Sequence, residues 1–154
     1  MSNALANLQK LGFTLPTPPV AAGAYVPAVQ SGSLLYLAGT LPMKDGKATA
    51  LGKVGAEVDL AQAYAAAQQC TLNALANAQA ALGSLDRVAR VVMVQGFVNG
   101  VDGFSDSPKV LNGASELLLA VFGEAGKHAR AAVSVNGLPL GVAVEVQIVL
   151  EVKP

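Results

Sequence analysis

Apolar residues recur along the chain at two different periods, and each change of period marks the boundary of an element. Over residues 3–11, Leu5, Leu8 and Leu11 fall at helical spacing, and the pattern stops at Gly12. Leu15-Pro16-Thr17-Pro18-Pro19 must then run extended, because proline fixes φ and removes the amide donor that a helix needs. This divides the chain into an N-terminal helix with a Pro-rich connector, residues 1–19, and a single domain, residues 20–154. Residues 25–30 and 34–38 read as two short strands flanking the turn Ser31-Gly32-Ser33, with Pro27 pointing to a sheet edge. Residues 42–57 read as a Gly/Lys-rich loop.

Asp59 with Gln62 three residues later predicts a capping box. Behind it Ala61, Tyr64, Gln68, Leu72, Leu75 and Leu82 keep helical spacing until Gly83, which predicts a long helix. Its many alanines make a thin face suited to close packing on a sheet, and Cys70 within it reads as a small buried hydrophobe. Residues 88–97 are apolar on both alternating faces, which predicts a central strand covered on each side by a second layer or by a neighbouring subunit. Ser107-Pro108 reads as an N-cap with proline at the first helical position, opening a second amphipathic helix that ends at Gly123. Two strands follow, residues 128–136 and 142–151, around the turn 137–141. The order hairpin, helix, strand, helix, hairpin predicts an α+β fold with two helices on one face of a sheet.

If the last two strands pair as a symmetric hairpin, Arg130 faces Glu145. The same register sets Ala129, Ala131 and Val133 against Val146, Val144 and Val142 on one wholly apolar face, and His128 against Gln147 on the other. A cross-strand ion pair on a solvated face contributes about 0.2–1 kcal/mol and needs no function. Here, however, the pair sits among alanines that leave room for a ligand, and arginine is suited to gripping a carboxylate through two parallel hydrogen bonds. His128, two residues before Arg130, reads as an exposed strand-end histidine outside the site.

Composition sharpens this picture. Only 13% of the 154 residues are charged and 53% are hydrophobic, against about 25% charged in an ordinary soluble chain, so self-association is expected. Ten basic residues balance ten acidic ones with no Lys/Arg run, which argues against nucleic acid and anionic lipid as partners. No stretch approaches 18 apolar residues and the N-terminus lacks a secretory signal pattern, so the expected location is the cytoplasm. Cys70 and His128 are the sole residues of their types, which excludes a disulfide framework and a Cys/His zinc site. Asp45 and Asp59 read as loop and cap residues, and residues 96–103 lack the spacing of a phosphate loop.

Ala129-Arg130-Ala131-Ala132-Val133, followed by Leu138-Pro139 and Val144-Glu145-Val146, resembles the C-terminal signature of the YjgF family, the reactive intermediate deaminases or Rid proteins. Tyr25-Val26 and Leu37-Ala38-Gly39-Thr40-Leu41-Pro42 resemble its first hairpin, and Phe97-Val98 with Asn112 its middle strand and helix. The resemblance implies a chorismate-mutase-like mixed sheet assembled as a homotrimer, with a cleft at each subunit interface. It also implies hydrolysis of 2-imino acids, or their enamine tautomers, to 2-keto acids and ammonia without metal or organic cofactor. By the same resemblance Arg130 clamps the substrate carboxylate, Glu145 orients the attacking water, and Tyr25 and Asn112 line the cleft. Gly39 and the backbone of Ala132 make main-chain contacts to substrate. Two departures bear on substrate choice: Ala38 stands where active relatives often carry serine, and Ala132 where they often carry cysteine. They keep open a non-catalytic trimer that binds a small carboxylate metabolite. Some relatives are labelled ribonucleases or translation inhibitors, a reading against which the zero net charge argues.

Overall fold

The computed structural model describes residues 3–154. Helix α1 (Ala4–Lys10) starts where the Asn3 side chain accepts the Ala6 amide at 3.0 Å. Two long-range hydrogen bonds pin it, Asn7 Nδ2 to Val121 O and Ala4 N–H to Asp86 Oδ1. These bonds choose the face that is buried: Ala4 and Leu8 go inside, whereas Leu5 and Leu11, expected in the same stripe, remain over 40% exposed.

Strands β1 (Ala28–Ser31) and β2 (Leu34–Leu37) form the expected hairpin, turning at Gly32 with φ of 59°. The stretch read as loop contains a second, minimal hairpin, β3 (Met43–Lys44) with β4 (Lys47–Ala48). Its turn is Asp45-Gly46, both at positive φ, and this Asp-Gly pair was the signal for it. Helix α2 (Leu60–Leu82) carries the Asp59/Gln62 capping box at its start and left-handed Gly83 at its end. Ala63, Ala66, Ala67, Ala74 and Cys70 are its buried face. Helix α3 (Ser107–Phe122) has Asp106 at its N-cap position, one residue earlier than expected and without a side-chain capping hydrogen bond, so Pro108 sits at the second helical position and Ser107 is buried. It crosses α2 at Gly113, where a Cβ would strike the backbone carbonyl of Tyr64.

Strands β5 (Val88–Asn99), β6 (Ala129–Val135) and β7 (Val144–Val152) complete a mixed five-stranded sheet of order β1-β2-β7-β5-β6. The fold is therefore α+β, with α2 and α3 on one face of the sheet.

The last hairpin does not form. Strand β5 lies between β6 and β7, parallel to the first and antiparallel to the second, and Arg130 neighbours Val94 while Glu145 neighbours Phe97. The physical reason is the crossover: β5, α3 and β6 make a β-α-β unit, which returns the chain beside β5 in parallel and leaves β7 the opposite edge of β5. The alternation in β6 and β7 fits both arrangements, because β5 offers each strand an apolar partner. The faces also differ from expectation. Val144, Val146, Ile148 and Leu150 are buried under the helices, but in β6 it is Arg130 and Ala132 that take the helix side, and Ala129, Ala131 and Val133 that take the open one. Met93, Tyr36 and Val133 are exposed on that open face, so one chain covers β5 on one side only.

Candidate functional site

Arg130 stands on the edge strand, on the helix side, and reaches α3. Its Nη1 donates to Asn112 Oδ1 at 2.9 Å and to Ser115 Oγ at 3.1 Å. Residues three apart on a helix share a face, so α3 presents both acceptors together. Among the described residues no carboxylate pairs with this guanidinium. Asn112, a candidate from the sequence, is thus brought to Arg130. So is Ala132, one step along the same face and opposite Gly96.

Two residues outside the expected site join this group. Ser115 Oγ lies 2.9 Å from His128 Nε2, and His128 Nδ1 lies 2.6 Å from Gly126 O. His128 is half-buried and held at both nitrogens, not the exposed strand-end residue expected, because the turn Gly123–Gly126 folds back beside the start of β6. Helical spacing of Asn112 and Ser115 was the legible clue. An open depression of about 270 Å³ lies over Ser115, His128 and Arg130.

Glu145 belongs to a second group, on the other face of the sheet. It opposes Phe97, and Gly39 lies directly against it: a Cβ at Gly39 would collide with the Glu145 carboxylate. Gly39 is held there by its neighbour. The Thr40 N–H donates to Val146 O at 2.8 Å, the Thr40 carbonyl accepts the Val146 N–H in return, and the Thr40 hydroxyl donates to Cys70 O at 2.8 Å. Partial burial pushes the Glu145 carboxyl above its usual range by desolvation, which makes it a better proton acceptor than an exposed glutamate.

Tyr25 and Gly39 line a cavity of about 240 Å³ whose walls are largely apolar, closed on one side by the extended connector at Pro19 and Val20. Ala38 and Asn77 also face it. Tyr25 is half-exposed, and its hydroxyl accepts the Ala22 amide at 3.3 Å. The structure therefore gathers the sequence candidates into two groups, Arg130, Asn112 and Ala132 in one, Tyr25, Gly39 and Glu145 in the other. Arg130 and Glu145, expected face to face, are separated by the sheet.

Among the described residues no group of three or more His, Cys, Asp or Glu side chains could hold a metal ion, and no helix is long and apolar enough to cross a membrane.

Residues 6–152 match the family described as "YjgF/chorismate mutase-like, putative endoribonuclease". The chain is 47% identical over 147 residues to protein TCP17 of Trypanosoma cruzi, a match that covers 95% of this chain and 92% of the relative. A solved structure described as a "putative endoribonuclease" from Shewanella oneidensis superposes with a TM-score of 0.94 at 35% identity, covering 97% of this chain and 99% of the other. The structure of RidA from an Antarctic Psychrobacter superposes with a TM-score of 0.59 at 29% identity, covering 88% and 94%.

Proposed function

The chain belongs to the YjgF/chorismate mutase-like family, and we propose that it is a RidA-like hydrolase that converts 2-imino acids to 2-keto acids and ammonia in clefts between subunits of a homotrimer. The observation that carries this reading is the pairing of an exposed arginine, held by two α3 acceptors and without a carboxylate partner among the described residues, with a half-buried glutamate of raised proton affinity set against a glycine. Each is half of a site. The open sheet face, with Met93, Tyr36 and Val133 exposed, gives a second copy a surface to cover, and a second copy can set its Arg130 group against the first copy's Tyr25, Gly39 and Glu145.

In that cleft Arg130 holds the substrate carboxylate through a planar fork, which fixes the imine carbon in place. Glu145 accepts a proton from water as the oxygen adds to the protonated C=N carbon and the π pair moves to nitrogen. Glu145 then returns this proton to the carbinolamine nitrogen and takes the hydroxyl proton as the C–N bond breaks, so that ammonia leaves and the 2-keto acid remains. The iminium carbon is already electrophilic, so positioning and one base supply the acceleration. The apolar walls of the cavity beside Tyr25 suit a substrate with an uncharged side chain.

A non-catalytic binder of a small carboxylate metabolite is favoured by Ala38 and Ala132, which remove two polar side chains from the expected cleft. The test is hydrolysis of imines generated in situ from several L-amino acids by an amino-acid oxidase, followed as 2-keto acid release. Wild type accelerates release and Arg130→Ala does not, while both keep the same far-UV circular dichroism. No acceleration by wild type, with retained binding of a 2-keto acid, overturns the enzyme reading in favour of the binder. RNA cleavage that persists in Arg130→Ala at high salt establishes the ribonuclease instead.

A further inference from the structure

We propose that His128 and Ser115 form a directional hydrogen-bond relay that positions the Arg130 guanidinium, so that carboxylate binding depends on His128 being neutral. This rests on the reading of Arg130 as the carboxylate clamp. Directionality follows from chemistry alone. Gly126 O, 2.6 Å from Nδ1, can only accept, so Nδ1 carries the hydrogen and Nε2 of the neutral ring is an acceptor. Ser115 must then donate its hydroxyl hydrogen to Nε2 across 2.9 Å. Its oxygen lone pairs are left to accept Arg130 Nη1 at 3.1 Å. The chain of donors runs from Arg130 through Ser115 and His128 to Gly126. With Asn112 as the second acceptor, it fixes one edge of the guanidinium against α3 and turns the other outward.

Protonation of Nε2 reverses the middle link. Nε2–H then donates to Ser115, whose hydroxyl hydrogen must swing away, and one oxygen faces an imidazolium and a guanidinium together. Other charges nearby are already engaged: Lys127 pairs with Glu124 at 2.9 Å, and Arg90 with Glu151 at 3.3 Å across the depression that His128 also lines. No carboxylate among the described residues pairs with His128. The new positive charge also attracts a carboxylate, and the proposal is that losing the fixed orientation of the guanidinium, on which a two-point hydrogen bond depends, is the larger effect.

His128 is the sole histidine, so one imidazole reports the relay in tag-free, 15N-labelled protein. Long-range 1H–15N spectra over pH, with and without pyruvate as the probe, give tautomer, titration and binding together. The expected result is a single Nδ1–H tautomer in the neutral form, an Nε2 resonance that moves in Ser115→Ala, and pyruvate affinity that falls as pH drops through the His128 titration. In Ser115→Ala the affinity is about three- to tenfold weaker, the loss of one hydrogen bond, and the pH step disappears. Ser115→Thr, which keeps the hydroxyl, restores both. An Nε2–H tautomer, or an Nε2 signal indifferent to Ser115→Ala, overturns the relay. A wild-type pyruvate affinity that ignores the His128 titration overturns its coupling to binding. Unchanged pyruvate binding in Arg130→Ala overturns the carboxylate reading of Arg130 itself, a failure distinct from that of the tautomer.

Discussion

Arg130 and Glu145 stand on opposite faces of one sheet, with β5 between their strands. A cleft that uses both must therefore draw them from different copies of the chain. Arg130→Ala and Glu145→Gln are each expected to be inactive, and co-refolding an equal mixture is expected to restore activity. In the proposed trimer, random assembly leaves roughly a quarter of clefts with both native residues, so about a quarter of wild-type activity is the ceiling. A mixture as inactive as its parents would place both groups in one chain's site.

Gly39 is where glycine is required by space, since a side chain there meets the Glu145 carboxylate. Gly39→Ala is expected to fold normally and to lose on the order of 10²-fold in kcat, the usual consequence of displacing a reacting group by about 1 Å. Thermal melting and steady-state kinetics on the same preparation separate the two effects.

Burial raises the Glu145 pKa above its ordinary value of 4.5. A carboxyl whose folded-state pKa exceeds its unfolded value contributes full stability below the unfolded value, and that contribution is lost as pH rises through the folded one. Glu145→Gln cannot ionise, so it is expected to melt above wild type at pH 7, with the gap closing once wild-type Glu145 is protonated. On the proposed reading of Glu145 as base, the acid limb of wild-type kcat/KM is expected above pH 4.5, since the carboxyl accepts a proton only when ionised. A variant less stable than wild type at pH 7 would contradict the desolvation argument.

At Gly113 the two helices touch through the Tyr64 carbonyl. Gly113→Ala forces them apart and is expected to cost about 1–3 kcal/mol or more in denaturant unfolding. Gly137→Ala, in open space without a positive φ, serves as the contrast and is expected to stay within about 0.5 kcal/mol.

The sequence by itself determined what is local. Asp59, Gln62 and Gly83 set both ends of α2, because caps act within one turn of the chain. Ser31-Gly32-Ser33 set the first hairpin, and Asp45-Gly46 carried a second that the loop-like surroundings masked. The candidate residues named from the sequence fall into two clusters, Arg130 with Asn112 and Tyr25 with Gly39 and Glu145. Only the tertiary structure decided which strand pairs with which. Val144, Val146 and Ile148 match the periodicity of β6 as well as that of β5, and alternation records a face without naming the neighbour. The crossover through α3 broke that tie and carried Arg130 away from Glu145. It also drew His128 from the surface to Ser115, a contact 13 residues apart that no short-range pattern encodes.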